Sequence, residues 1–180
     1  MSQENIFTSQ DLNSNDGMLT SVWGPAMWHS LHTISFNYPV NPTSEQKKQY
    51  KEFVLSLQHV LPCGACRKNL IKNLQEVPLS DWALKNRKNF SRWMYRLHEK
   101  INDMLGKKSG LTYNDVAQRY ENFRARCRQP NTQKTGKEKE DGCVEPVSGL
   151  KSKCIISIIP QNGESMTSFQ MDDRCYQRRV

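Results

Sequence analysis

Two cysteines, Cys63 and Cys66, stand close together in the run Leu61-Pro62-Cys63-Gly64-Ala65-Cys66-Arg67, just after a proline and at the opening of a helical pattern. A cysteine at a helix start meets free N–H groups and the positive end of the helix dipole, and both stabilise a thiolate. The two-residue spacer lets the sulfurs close a short disulfide loop, and Arg67 and Lys68 add positive charge beside them. Thiol–disulfide exchange needs such a reachable thiol of low pKa. Three other readings stay open on the motif alone. Zinc uses the same spacing, but it ordinarily takes two further ligands, and no second C-x-x-C or H-x-x-x-H follows. A thioredoxin-like fold would put a strand before the motif, where this chain has an amphipathic helical pattern. Two inert core cysteines would not need the flanking proline and bases.

A second group of residues could hold an aromatic, anionic ligand. Trp28 and His32 lie four apart in Trp23-Gly24-Pro25-Ala26-Met27-Trp28-His29-Ser30-Leu31-His32 and share a helix face. His98 and Asn102 share another, in His98-Glu99-Lys100-Ile101-Asn102-Asp103-Met104-Leu105-Gly106-Lys107-Lys108. Taken singly, each is ordinary. A Trp or His on an apolar face usually belongs to the core, and lysines near a helix end favour its dipole.

The elements that must position these groups are helices. Trp28, Leu31, His32 and Ser35 mark a first helix that begins near Trp23, with Pro25 in its opening turn, and ends at Tyr38-Pro39. Thr43 or Ser44 caps a second, with Gln46 or Lys47 near its third position and a stripe at Tyr50, Phe53, Val54, Leu57, Val60 and Leu61. Cys63 and Cys66 open a third, running to about Leu74. Phe90, Trp93, Met94, Leu97, Ile101 and Leu105 predict a long fourth, closed by Gly106. Thr112 or Asn114 starts a fifth that runs to about Arg126. Gln129 to Gly142 reads as a polar linker, and Cys154-Ile155-Ile156-Ser157-Ile158-Ile159 as a strand ending at Pro160. The expected fold class is all-α: a four-helix bundle with a short fifth helix and a C-terminal tail containing a short β segment. The expected domains are a flexible segment at 1–20, a helical domain at 21–128 and a cysteine-containing tail at 129–180.

With 180 residues, 36% of them apolar, the chain builds one modest core. Nothing approaches the ~20 apolar residues of a membrane helix, and the polar N-terminus has no secretory h-region. The net charge of +8 suits an anionic cofactor, an acidic partner or nucleic acid. No nucleic-acid motif or interleaved aromatic pattern is present, so nucleic acid is not expected. Much of the basic excess falls between 85 and 108, where Lys85, Arg87, Lys88, Arg92, Arg96, Lys100, Lys107 and Lys108 face only Glu99 and Asp103.

The three segments together, in this order and spacing, resemble the Erv/ALR family of FAD-linked sulfhydryl oxidases. That family shows W-G-x-x-x-W-x-x-L-H, a C-x-x-C about thirty residues on, and then H-x-x-x-N-x-x-L-G-K. The resemblance covers about Trp23 to Phe123. It implies a helical bundle binding FAD, with the Cys63–Cys66 pair as redox centre and Cys66 on the flavin side. It places Trp28 and His32 against the cofactor, with Trp23 and Gly24 at the mouth. It also implicates His98, Ile101, Asn102 and Leu105 on the cofactor helix, Lys107 and Lys108 near the flavin or diphosphate, and Tyr120 where cellular members tend to carry Trp. Electrons would pass from protein thiols, directly or through a thioredoxin-like relay, to molecular oxygen, giving hydrogen peroxide. A homodimer is implied, and no resident metal. The alternative is a zinc-stabilised helical interaction module built on Cys63, Cys66 and two tail cysteines.

Two departures from the cellular pattern bear on the tail. Glu99 follows the helix histidine where Asn is common, and Leu111-Thr112-Tyr113-Asn114 lacks the cysteine of a structural disulfide. The segment Arg119 to Cys127 and the tail are most like members encoded by large cytoplasmic DNA viruses, which implies the cytoplasm of an infected cell or the virion. At least two of Cys127, Cys143, Cys154 and Cys175 are expected to form disulfides. A structural staple is favoured over a mobile shuttle in the region of Cys143 and Cys154.

Overall fold

Thr43, Asn86 and Thr112 each start a helix by the same device, a side-chain oxygen that accepts a backbone N–H three residues on. At Thr43 and Thr112 the bond is reciprocated by Gln46 and Asp115, which completes a capping box. The computed structural model describes residues 7–128, 142–147, 149–160 and 169–175. Its helices are α1 (Ser9–Leu12), α2 (Thr20–Phe36), α3 (Ser44–Val60), α4 (Gly64–Glu76), α5 (Arg87–Met104) and α6 (Tyr113–Glu121). Two strands, β1 (Ala125–Arg128) and β2 (Gly142–Pro146), pair antiparallel. The expected helical bundle with a short fifth helix and a β segment in the tail is what forms.

The bundle is organised around α5. Phe90, Trp93, Met94 and Leu97 recur at helical spacing and are all buried. Leu31 of α2, Val54 and Leu57 of α3, and Leu70 of α4 close on them. Two large side chains inside this core have their polar atoms paired. The Trp93 indole N–H donates to the carbonyls of Val77 and Pro78 at 3.2 and 3.1 Å. The buried Tyr38 hydroxyl donates to Leu84 O at 2.9 Å. A smaller cluster of Phe36, Val116 and Tyr120 fastens α6 to α2.

Helix α5 ends in a Schellman turn. Gly106 takes φ +66°, Gly106 N donates to Asp103 O at 3.0 Å, and Lys107 N reaches back to Asn102 O at 2.8 Å. Only a residue free of the Cβ penalty adopts that φ cheaply, which accounts for the glycine.

Four expectations need correction. Helix α2 begins at Thr20, so Pro25 sits inside it and not in its first turn. The extra turn forms because Trp23 and its neighbours fold back on Leu19 and Met18. The lead-in is not wholly irregular, since Thr8 and Asp11 cap the short α1. Helix α6 stops at Glu121, and 125–128 is a strand. There Arg124 turns back to bond the Phe36 carbonyl and Glu121, and the chain leaves to pair with β2. The segment Cys154–Ile159 is not a strand. Among the described residues it has no ladder partner, and Ile155, Ile156, Ile158 and Ile159 are exposed. The tail strand is 142–146 instead, joined to β1 by a Cys127–Cys143 disulfide. Most of the expected linker, 129–141, lies outside the described residues.

Candidate functional site

Pro62 ends α3 and Cys63 caps α4, so the redox pair occupies the turn between two packed helices. Cys63 is extended, at φ −157° and ψ 117°, and its Sγ accepts the Cys66 N–H at 3.2 Å. The sulfur therefore takes the place of the usual capping oxygen and sits at the positive end of α4. Cys63 and Cys66 are disulfide-bonded, with Cα atoms 5.2 Å apart, and both are half-buried. Arg67 folds back to donate from Nη1 to Leu61 O at 2.5 Å, which braces the turn that carries the pair.

The second group converges where α2, α5 and α6 meet. The Trp28 and His98 rings stack face to face, 3.8 Å between centroids and 6° from parallel. His32 Nε2 and His98 Nδ1 share a hydrogen bond of 3.0 Å. Tyr120 stacks on the other side of His32 at 5.3 Å and on Phe36 at 5.4 Å. Burial pushes the His32 pKa down to about 3, helped by His98, His29 and Arg119, and pushes His98 down to about 4. Both imidazoles are therefore neutral near pH 7 and can donate or accept hydrogen bonds without carrying charge. Burial also raises the Tyr120 phenol to about 12, so it stays protonated.

The sequence-predicted residues divide into three groups. Trp28, His32, His98 and Tyr120 form one ring cluster. Ile101 is half-buried against the core beside them, and Asn102 is held by a bond from Nδ2 to Glu99 Oε1 at 3.0 Å. Leu105, Lys107 and Lys108 are exposed at and after the end of α5. Trp23 is anchored by its indole N–H, which donates to Met18 O at 3.0 Å. Gly24 is half-buried and has ordinary room for a side chain, the nearest atom to an added Cβ being 3.8 Å away.

Sequence reasoning missed His29. Its Nδ1 lies 3.3 Å from the Tyr120 hydroxyl and its ring packs near those of Tyr120, Phe123 and Phe169. The signal was present: His29 and His32 are three apart and so share a helix side. Phe169 had no such signal, because contact between the tail and α2 has no period in sequence.

The donor set suits a flavin nucleotide. A cluster of neutral rings offers stacking surface and apolar contact to an aromatic ring system. His32 Nδ1 is buried without a hydrogen-bond partner, a vacancy that a ligand polar atom can fill. Two lysines just past a helix end suit a diphosphate. Cys63 and Cys66 are bonded to each other, and among the described residues no group of three His, Cys, Asp or Glu side chains is placed to join them on a metal ion. The zinc-module alternative has no support.

Comparison with known proteins falls on the same segment. The family model described as Erv1 / Alr matches residues 25–121. A probable FAD-linked sulfhydryl oxidase of Acanthamoeba polyphaga mimivirus is 39% identical over 104 residues, 58% of this chain and 72% of that protein. The mitochondrial FAD-linked sulfhydryl oxidase of Saccharomyces cerevisiae is 33% identical over 47% of this chain, and the match spans only 43% of the yeast protein. The crystal structure of the FAD-binding domain of yeast Erv1 superposes with a TM-score of 0.52 at 30% identity, covering 57% of this chain and 94% of that one.

Proposed function

The chain belongs to the Erv1/Alr family, and from that premise we propose that it is an FAD-dependent sulfhydryl oxidase that makes disulfides in protein thiols. The observation that carries the proposal is the Cys63–Cys66 disulfide at the cap of α4, in the same helical core as the His32–His98–Trp28–Tyr120 cluster.

In the proposed reaction a substrate thiolate attacks Cys63 Sγ. The Cys63–Cys66 bond breaks and Cys66 leaves as a thiolate. A second substrate thiolate attacks the substrate sulfur of the mixed disulfide and releases Cys63, so the substrate gains a disulfide and the pair gains two electrons. The Cys66 N–H and the α4 dipole stabilise negative charge at Cys63, and Arg67 adds to this. The chemistry a bound FAD supplies is acceptance of that electron pair and its transfer to molecular oxygen, giving hydrogen peroxide. Trp28, His32, His98 and Tyr120 would hold the ring system, with Ile101, Asn102 and Leu105 beside them. Lys107 and Lys108 would meet the diphosphate, and Trp23 and Gly24 would lie at the mouth of the site.

The proposal assigns the activity to residues 21–128, with 1–20 and 129–180 as appendages. It includes a homodimer, supported by a shallow, mostly apolar hollow on α2 and α3 lined by Ile34, Gln49, Tyr50 and Phe53. Its substrates are protein dithiols or a thioredoxin-like relay. Its setting is an infected cell or a virion, supported by the mimivirus and African swine fever virus relatives. No helix among the described residues is long and apolar enough to cross a membrane.

The test is an absorbance scan for flavin together with oxygen uptake on a small dithiol. The Cys63→Ser/Cys66→Ser double variant should keep the flavin bands and lose uptake. Full uptake by that variant rejects the proposed route.

A further inference from the structure

The N-terminal segment crosses the redox turn at a distance that admits only glycine. A Cβ built on Gly17 would lie 2.6 Å from Pro62 O and 3.1 Å from Cys63 Cα. Both are backbone atoms, so no side-chain rotation relieves the clash. The close approach is then used: Met18 N donates to Pro62 O at 2.8 Å. On its other side Met18 O accepts the Trp23 indole N–H at 3.0 Å. Met18 is therefore held by both its peptide groups, one on the redox turn and one on α2.

The carbonyl that this strap holds belongs to the peptide leading into Cys63. The orientation of that peptide sets Cys63 at φ −157°, where its Sγ meets the Cys66 N–H at 3.2 Å. The same turn is braced within itself by Cys63 N to Leu61 O at 2.8 Å and by Arg67 to Leu61 O at 2.5 Å. The Pro62 carbonyl is the face of the turn that the strap supplies with a donor.

We propose that Gly17, Met18 and Trp23 form a positioning strap that holds Cys63 in its capping geometry and so sets how readily its thiol ionises. In this assignment Trp23 acts on the redox pair through Met18 and does not touch the flavin. The inference deepens the oxidase reading and rests on Cys63 as the thiol that exchanges with substrate. A thiolate at a helix cap is stabilised only while it faces the first-turn N–H groups. Gly17→Ala pushes the strap off Pro62. Trp23→Phe keeps a ring but removes the N–H that anchors Met18. Each change frees the Pro62–Cys63 peptide to rotate and weakens the capping bond to the thiolate.

The experiment measures the pH profile of Cys63 alkylation in the full-length, FAD-loaded chain carrying Cys66→Ser, read by mass mapping of the Cys63 peptide. Gly17→Ala should lower the thiolate fraction below the midpoint by about two- to tenfold, the worth of one hydrogen bond, and so move the midpoint upward. Trp23→Phe should move it in the same direction. Leu79→Ala, in the core away from the strap, should lower the melting temperature without moving the midpoint, which separates positioning from general loss of stability. Unmoved midpoints in both Gly17→Ala and Trp23→Phe overturn the proposal, as does an equal shift in Leu79→Ala. Alkylation reads the thiol directly. A chain without flavin bands or oxygen uptake would defeat the oxidase reading and leave this result standing.

Discussion

Lowering the pH from about 7 to about 5 should remove about 4 kcal/mol of folding stability through His32 and His98. Burial holds the first at a pKa of about 3 and the second at about 4, against an ordinary value of 6.5. The folded state thus refuses protons that the unfolded state accepts. For a base with a depressed folded pKa, stability is complete above the unfolded pKa and is lost as pH falls through it toward the folded value. At about pH 5 an unfolded imidazole is protonated roughly thirtyfold over neutral, worth ~2 kcal/mol, while its folded counterpart gains almost nothing. At about pH 7 the same difference is only ~0.2 kcal/mol. Each group therefore loses about 2 kcal/mol over the interval. The carboxylates held low by their partners, Asp11, Asp115 and Asp172, titrate below this window and do not confuse it. Burial also lowers His29, so it adds in the same direction. The assay is urea unfolding by tryptophan fluorescence at both pH values and fixed FAD excess. The double variant His32→Gln/His98→Gln keeps polar side chains but removes the titration, and should retain no more than about half of the fall. An undiminished fall in that variant refutes the reasoning.

Breaking the Cys127–Cys143 bridge by Cys143→Ser should cost ~3 kcal/mol, the chain-entropy value for a loop of this size, since the sequence separation is 16. Differential scanning calorimetry of the two proteins checks it. Tyr120→Phe keeps the stack on His32 and Phe36 but removes the hydroxyl beside His29, so unfolding should show a loss of only about 0.5–1.5 kcal/mol, with the flavin bands intact. His98→Ala and Lys107→Ala should each weaken FAD retention on dialysis by about ten- to hundredfold, the loss of a charge-assisted or buried contact worth about 1.5–3 kcal/mol. Unchanged flavin content in both counts against the placement of the cofactor at α5.

The parts of this protein legible in its sequence are those whose cause is local. Thr43 with Gln46, Gly106 after the stripe of α5, and Cys63 behind Pro62 each announce an element boundary within four residues, and each boundary is observed. The ring cluster was legible for a related reason. Trp28 and His32, and His98 and Asn102, lie one helical turn apart, and only the meeting of α2 with α5 had to be supplied. What failed depends on distant partners. The helical pattern of α6 runs on to about Arg126, but Arg124 finds the Phe36 carbonyl 88 residues away and the chain turns out to pair with 142–146. The isoleucines of 155–159 have high β propensity, but propensity without a neighbouring edge makes no ladder. The bond from the Trp23 indole N–H to Met18 O was likewise not legible. No periodicity encodes that bond.

The turn after α5 bears on what the proposed binding there would cost. Lys107 N is bonded to Asn102 O, Gly106 N to Asp103 O, and the Asn102 side chain to Glu99. The peptide frame that carries Lys107 is thus continuous with the helix that carries His98 and Ile101. An anion arriving at Lys107 finds that frame preorganised. It freezes one long side chain, at roughly 2 kcal/mol of rotamer entropy, and is spared the ~1–2 kcal/mol per residue of fixing a loose backbone. Substituting Gly106 would transfer that backbone cost to the moment of binding, weakening anion affinity from a position that need touch no ligand.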